Sequence, residues 1–319
     1  MYLEHHAAFA GEPRPLRLEP ALEALLNQSM LQVDVLDELY CCGTRFLEEP
    51  RYACGVFHLI GTGQCEVESE VLEGPLLLEP GDLIVFPHGD PHRLRAAPSS
   101  DLRSTGMICG ELHFAAHAWH PLKHALPGCF VVRAADAGAL FRNLSGMMIE
   151  MVGGGVPGRQ VLLNKLADTL FTVAICDYAE RHHDRRGLFT ALTDARICKV
   201  LQAVHEHPGH AWTIETMAEL ACMSRSAFAE RFVQLMQIPP MQYVTQWRVG
   251  VAQRLLHDRQ LSVACIAERL GYRSEAAFRR LFKRVSGICP GRLRTRGAVR
   301  IAPERKPMPR TDRPVRPAA

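Results

Sequence analysis

The sequence predicts an α+β, multidomain chain. A small antiparallel β-barrel with flanking helices is followed by an all-α unit of two matched helical modules. Three observations predict this. Residues 218–240 and 267–290 carry one pattern twice: Phe228/Phe278, Phe232/Phe282, Ser224/Ser274 and Pro240/Pro290 are each offset by 50 residues, and Ala218/Ala267 by 49. Such a period marks a repeated supersecondary unit. Short apolar runs between Gly- and Pro-rich turns fill about 33–114. Charge is divided: from Leu188 onward 22 Lys and Arg stand against 10 Asp and Glu, whereas the first 187 residues hold 15 against 24. A chain of net +3 therefore hides a basic C-terminal third, which suits a polyanion partner for that part alone.

In chain order, residues 1–20 are acidic, His-bearing and Pro-rich, without the apolar run of a signal peptide. No segment reaches the roughly 18 uncharged apolar residues of a membrane helix. The longest candidate, 161–179, holds Lys165, Asp168 and Asp177. A cytoplasmic protein with no membrane partner is expected. Strands are expected at 54–60, 65–71, 76–78, 83–86 and 105–114, punctuated by Gly61-Thr62-Gly63, Glu73-Gly74-Pro75 and Pro80-Gly81-Asp82. Helices follow from about 135 to 182. Leu140, Leu144, Met147, Met148 and Met151 form one apolar stripe; Val161, Leu162, Leu166, Leu170, Val173 and Ala174 form another. These stripes either cover the barrel or build a dimer interface. Gly153-Gly154-Gly155 reads as a loop, because no strand or Lys-Ser/Thr context makes it a phosphate cradle.

Charged residues 181–187 read as a linker. In the first repeat Thr213 caps a helix through Leu220, and Ser224 caps a second that carries Phe228, Phe232 and Leu235. In the second repeat Ser262 caps a helix bearing Val263, Ile266, Ala267 and Leu270. Gly271 makes the turn, and Ser274 caps a helix ending at Gly287 and Pro290. Helix, tight turn, helix, twice over, describes paired helix-turn-helix modules.

Residues 191–294 resemble the DNA-binding domain of AraC/XylS-type transcriptional regulators. The likeness rests on Ile266-Ala267-Glu268, Leu270-Gly271-Tyr272, Ser274-Glu275, Phe278, Phe282-Lys283-Arg284, Gly287, Pro290 and Arg294, and covers about a third of the chain. Two positions depart from the pattern. Gln237 stands where Gly is frequent, so the first module's second helix is expected to end differently; Leu293 stands where an aromatic is usual. The resemblance implies a bridging helix over 240–256, with Val244, Trp247, Val251 and Leu255 on its inner face. It places the recognition helices in successive major-groove segments about 34 Å apart. The implied readers are Arg225, Ser226, Ala229 and Glu230 in the first module and Glu275, Ala276, Arg279 and Arg280 in the second. Arg280 is the favoured base reader, since a guanidinium pairs bidentately with guanine. Arg225 and Arg279 suit phosphate equally well. Implied partners are double-stranded promoter DNA, RNA polymerase and a second copy of the chain. Activation is more usual in the family than repression.

Gly81, Pro87, Gly89 and His92 fit the spacing of a cupin barrel motif, and the front half resembles the cupin sensor of many such regulators. Cupins can hold metals. Here His58, His92 and Glu66 are the candidates, but Ile60 breaks the His-x-His pair. No metal, no cofactor and no enzyme are expected, and His58 and His92 are expected to find backbone partners. Eleven cysteines include no Cys-x-x-Cys pair. Cys176, Cys198, Cys222 and Cys265 read as small hydrophobes. Cys109, within Met107-Ile108-Cys109-Gly110-Glu111-Leu112, resembles the strand of a branch that responds to reactive chlorine species. That resemblance implies a second cysteine, for which Cys41 or Cys42 is the nearest match, and a disulfide able to shift the barrel. The rival readings are an inert Cys109 with a small hydrophobic or metabolite ligand in the barrel, or a metal-dependent cupin enzyme fused to a DNA-binding module. The expected division is 1–120 sensor barrel, 121–187 helical dimerisation and linker segment, 188–297 DNA-binding domain and 298–319 disordered basic tail.

Overall fold

The computed structural model of the chain describes residues 22–23, 25–26, 31–42, 46–52, 54–97, 104–114, 121–152, 157–182, 187–258 and 260–296. The expected signal-free N-terminus, the Gly153–Gly155 loop, the core of the 181–187 linker and the 298–319 tail lie outside the described residues.

Nine strands form two facing antiparallel sheets among the described residues: β1 (Gln32–Cys42), β2 (Leu47–Glu49), β3 (Gly55–Thr62), β4 (Cys65–Ser69), β5 (Leu76–Leu78), β6 (Leu83–Phe86), β7 (His92–Ala96), β8 (Ser104–His113) and β9 (Phe130–Val132). One sheet runs β1-β8-β3-β6-β9, the other β2-β7-β4-β5. Strand alternation sorts the side chains. Val56, Ile60, Ile84, Phe86 and Met107 meet Val67, Leu78 and Leu94 of the second sheet and fill the barrel interior. Phe57, Leu59, Leu83, Val85 and Ile108 point the other way, onto helices. Strand β3 is thus buried on both faces, and its sequence accordingly shows an apolar run instead of alternation.

Those helices are α1 (Pro121–Ala125), α2 (Ala139–Val152) and α3 (Arg159–Arg181). Phe171 of α3 meets Phe57 edge to face at 5.0 Å. Helix α3 also protects the edge strand β1: the Val33 N–H donates to Asp168 Oδ1 at 2.8 Å and the Val35 N–H to Asn164 Oδ1 at 3.0 Å. Backbone donors that would invite another strand are thereby satisfied. Both apolar stripes are divided. Leu144, Met148, Leu170 and Ala174 are buried, whereas Leu140, Met147, Val161 and Leu162 are exposed.

Behind the barrel come α4 (Leu188–Thr193), α5 (Ala195–Glu206), α6 (Ile214–Leu220), α7 (Arg225–Met236), α8 (Pro240–Leu255), α9 (Val263–Arg269), α10 (Glu275–Ser286) and α11 (Pro290–Arg296). Each expected cap forms: Thr213, Ser224, Ser262 and Ser274 accept from the backbone N–H three residues on. The turn of the first module holds Cys222 at φ 52°, where the second holds Gly271 at φ 74°. Helix α7 ends on Gln237 at φ 59°, left-handed like Gly287 at φ 75°. The expectation of a different helix end is thus overturned. The Gln237 N–H donates to Val233 O as the Gly287 N–H does to Lys283 O, so the terminal hydrogen bond holds the strained residue in place. The bridge α8 is wrapped more fully than one stripe: Tyr243, Val244 and Trp247 join the first module's core, while Val249, Ala252 and Leu256 join the second's. The first module's core is continuous with α3, α4 and the outer face of the barrel; the second keeps its own, around Ile266, Phe278, Phe282 and Leu293. Leu293 fills the place of the usual aromatic at 5% exposure.

Candidate functional site

Two sites emerge. The first is the outer surface of α7 and α10. Arg225, Ser226, Glu230, Ala276, Arg279 and Arg280 are exposed, and Ala229 and Glu275 are half-buried. Phe228, Phe232, Phe278 and Phe282 anchor the opposite faces in the core, which fixes what each helix presents. The two helices differ electrostatically. On α7, Arg225 pairs with Glu215 at 2.6 Å and Arg231 with Asp194 at 2.9 Å. Burial alone would raise the Asp194 pKa; hydrogen bonds from the Ile197 N–H, Arg231 and the Arg196 N–H hold it below its ordinary value. On α10, Arg279 pairs with Glu275 at 2.5 Å, while Arg280, Lys283 and Arg284 are exposed without an ion pair among the described residues. Cationic charge is therefore most available on α10.

The relative placement of the modules is set by contacts that the sequence did not reveal. Arg248 of α8 donates to Pro208 O at 2.7 Å and to His210 O at 2.6 Å, and its guanidinium lies over the Tyr272 ring. The 207–212 loop thereby docks on the turn of the second module. There Gly209 and Gly271 approach so closely that a Cβ on either would overlap backbone of the other segment.

The second site lies inside the barrel. The His92 Nδ1 is 2.9 Å from Asp90 O, His92 Nε2 is 2.7 Å from His58 Nε2, and His58 Nδ1 is 3.0 Å from Cys109 Sγ. A carbonyl only accepts, so His92 Nδ1–H donates to it. The neutral ring's Nε2 then accepts from His58 Nε2–H, and His58 Nδ1 accepts from the Cys109 thiol. Neutral rings are required: burial, then the facing His92, drives the His58 pKa well down, and burial takes His92 down to about 4 despite the opposing Asp90 carbonyl and carboxylate. Phe86 stacks on His92 at 4.0 Å. The expectation of backbone partners holds for His92 and fails for His58, whose partners are two side chains. The β3–β8 register sets His58 directly opposite Cys109, a pairing that the sequence alone did not reveal.

The candidate cupin metal set of His58, His92 and Glu66 does not assemble here. Glu66 lies on the other face of β4 from Cys65 and Val67, where it pairs with Arg95 at 2.8 Å. The two Nε2 atoms share a hydrogen bond at 2.7 Å, which leaves no space for a cation between them. The implied partners of Cys109 also require correction. On β1 its opposite residue is Asp37, whereas Cys41 and Cys42 face Thr105 and Ser104. Four or five residues along a strand is about 13–17 Å, and a disulfide needs Cα atoms within about 7 Å. This register forbids either bond within one barrel. A cavity of about 390 Å³ lies outside the barrel, lined in part by His124, Leu126, Tyr178, His182, Phe189 and Ile238. No helix among the described residues is long and apolar enough to cross a membrane.

Comparison with known proteins agrees with both halves. A cupin family profile matches residues 21–180, and a helix-turn-helix domain profile matches residues 217–296. The RCS-specific HTH-type transcriptional activator RclR of Escherichia coli (strain K12) is 29% identical over 243 residues, spanning 75% of this chain and 84% of RclR. The HTH-type transcriptional regulator AlkR of Acinetobacter baylyi is 33% identical over 181 residues, 54% of this chain and 57% of AlkR. Among solved structures, the DNA-binding domain of AdpA in complex with a target DNA is 37% identical, covers 31% of this chain and 89% of that one, and has a TM-score of 0.30. With a barrel of this topology ahead of paired helix-turn-helix modules, the chain belongs to the AraC family of DNA-binding transcriptional regulators that carry an N-terminal cupin domain.

Proposed function

We propose that this regulator responds to an oxidant of the hypochlorous acid class through Cys109. The hydrogen-bonded series Cys109–His58–His92–Asp90 carries the reading. A thiolate is the reactive form of cysteine. The thiol hydrogen bond to His58 Nδ1 puts a proton acceptor in place as sulfur reacts, while burial of both rings disfavours a resting imidazolium, so the thiolate forms only transiently. The thiolate then attacks hypochlorous acid: RS⁻ + HOCl → RSOH + Cl⁻, with sulfur oxidised and chlorine reduced. A sulfenic acid cannot repeat the original contact with His58, and β8 is hydrogen-bonded to both β1 and β3, so the disturbance falls on the sheet that carries α3. In support, the RclR relative is named as an RCS-specific activator.

In this reading residues 1–120 sense, 121–187 couple and dimerise, and 188–297 bind promoter DNA. Arg225, Ser226, Ala229, Glu230, Glu275, Ala276, Arg279 and Arg280 face the major groove, and RNA polymerase is the partner of activation. The exposed Leu140, Met147, Val161 and Leu162 serve self-association. The test is footprinting on the gene's own upstream region with reduced and hypochlorite-treated protein. The wild-type footprint should appear or shift on oxidation, and Cys109→Ser should abolish the change while keeping basal affinity. A Cys109→Ser protein that still responds overturns the proposal. One observation favours a second reading: the barrel interior is filled, and the cavity beside α1 and α3 touches Met236 and Ile238 at the end of α7. An apolar effector would bind there, and an oxidant-indifferent footprint that shifts with such a ligand is its signature.

A further inference from the structure

We infer that Cys54, Glu111 and His113 form a binding site for a divalent cation of the zinc type. The register of β3 with β8 pairs Gly55 with Leu112, which sets Cys54 across from His113; Glu111 lies two residues back along β8 on the same face. One donor atom from each residue, a thiol sulfur, a carboxylate oxygen and an imidazole nitrogen, lies within 4.8 Å of the other two. Glu111 Oε2 and His113 Nε2 are 3.2 Å apart. Tetrahedral zinc with bonds of about 2.0–2.3 Å separates its donors by roughly 3.3–3.8 Å, so only small side-chain movements complete the set.

The chemistry of the donors selects the ion. Oxygen-only cations are poorly served by a thiolate and an imidazole, and a monovalent soft ion is poorly served by the carboxylate. Three protein donors leave a fourth position, and Asp34 is at hand: its Oδ2 is 3.7 Å from His113 Nε2. Asn164 Nδ2 of α3 orients that carboxylate at 3.3 Å. His113 is 41% exposed at its side chain, giving the ion a way in, whereas Glu111 is 8% exposed and firmly placed. A bound ion would clamp the start of β3 to the end of β8 and, through Asp34 and Asn164, to β1 and α3. The site shares no residue with the Cys109–His58–His92 series and does not depend on the Cys109 proposal.

The experiment uses the full chain, reduced and stripped with chelator, then titrated with Zn²⁺ against a chromophoric chelator and, separately, with Co²⁺. One tight ion per chain is expected, with a thiolate-to-cobalt charge-transfer band. Cys54→Ser should abolish the band. His113→Ala and Glu111→Gln should weaken binding roughly tenfold or more. Cys109→Ser should leave binding unchanged. Circular dichroism and basal DNA affinity report whether each variant folds, and His113→Gln replaces His113→Ala if that variant does not. No tight ion in the wild type, a band that survives Cys54→Ser, or binding lost with Cys109→Ser overturns the inference.

Discussion

Gly209→Ala probes how the two helix-turn-helix modules are held at one spacing. A Cβ at residue 209 would run into the Arg269 carbonyl oxygen and crowd the carbon that bears it. Both obstacles are backbone, so no side-chain rotation relieves the overlap. Overpacking of this kind costs about 1–3 kcal/mol, and the free protein avoids most of it by separating the 207–212 loop from the second module. Binding across two successive major-groove segments requires the closed arrangement, so the strain returns with every binding event. Dissociation constants on a full site should rise roughly 5- to 150-fold. On a DNA whose second half-site is scrambled, the mutant should match the wild type. Fluorescence anisotropy on the two DNAs at one salt concentration gives both numbers. Full-site affinity within twofold of wild type, in a protein of native circular dichroism, would refute the idea that this contact fixes the spacing. Equal losses on both DNAs would place the damage inside the first module.

Three further outcomes follow from the same structure. Arg280→Ala should cost about 1–3 kcal/mol of DNA affinity and relax preference at one base pair; a uniform loss across sequences, with a shallower salt slope, would assign Arg280 to phosphate instead. Burial lowers the folded-state pKa of His58 and His92, so the unfolded chain binds more protons below about pH 6.5, and stability should fall with pH until the native rings protonate, near 4 for His92. Urea midpoints at pH 7 and pH 5 measure this fall, which should shrink in His58→Gln; an unchanged fall would mean that other groups dominate acid sensitivity. Val161 and Leu162 are exposed at 65% and 44%, so Leu162→Glu should lower self-association in sedimentation runs, and an unaltered profile would place any dimer elsewhere.

The paired modules were legible in the sequence because their determinants are local. Ser224, Ser262 and Ser274 cap helices by reaching three residues along the chain, and the Phe228–Phe232 and Phe278–Phe282 spacings fall on one helical face. The central strands were legible from apolar runs and Gly-Pro turns, and His92 from its motif spacing. Strands β1, β2 and β9 were missed, and the strand at His92 was anticipated only without its bounds. β2 and β9 have three residues each, too few to show a period, and β7 alternates through basic residues that resemble loop. What only the tertiary structure decided is which distant residues meet. The contact of Cys109 with His58 depends on strand register, as does its separation from Cys41 and Cys42, and a slip of one residue would turn every side chain to the other face. The closeness of Gly209 to Gly271 likewise depends on how α8 lies between two cores. Local hydrogen bonds and periodicity are written along the chain. Contacts across sheets and between modules arise only when long-range packing brings separate segments together, so they carry no signature in either segment alone.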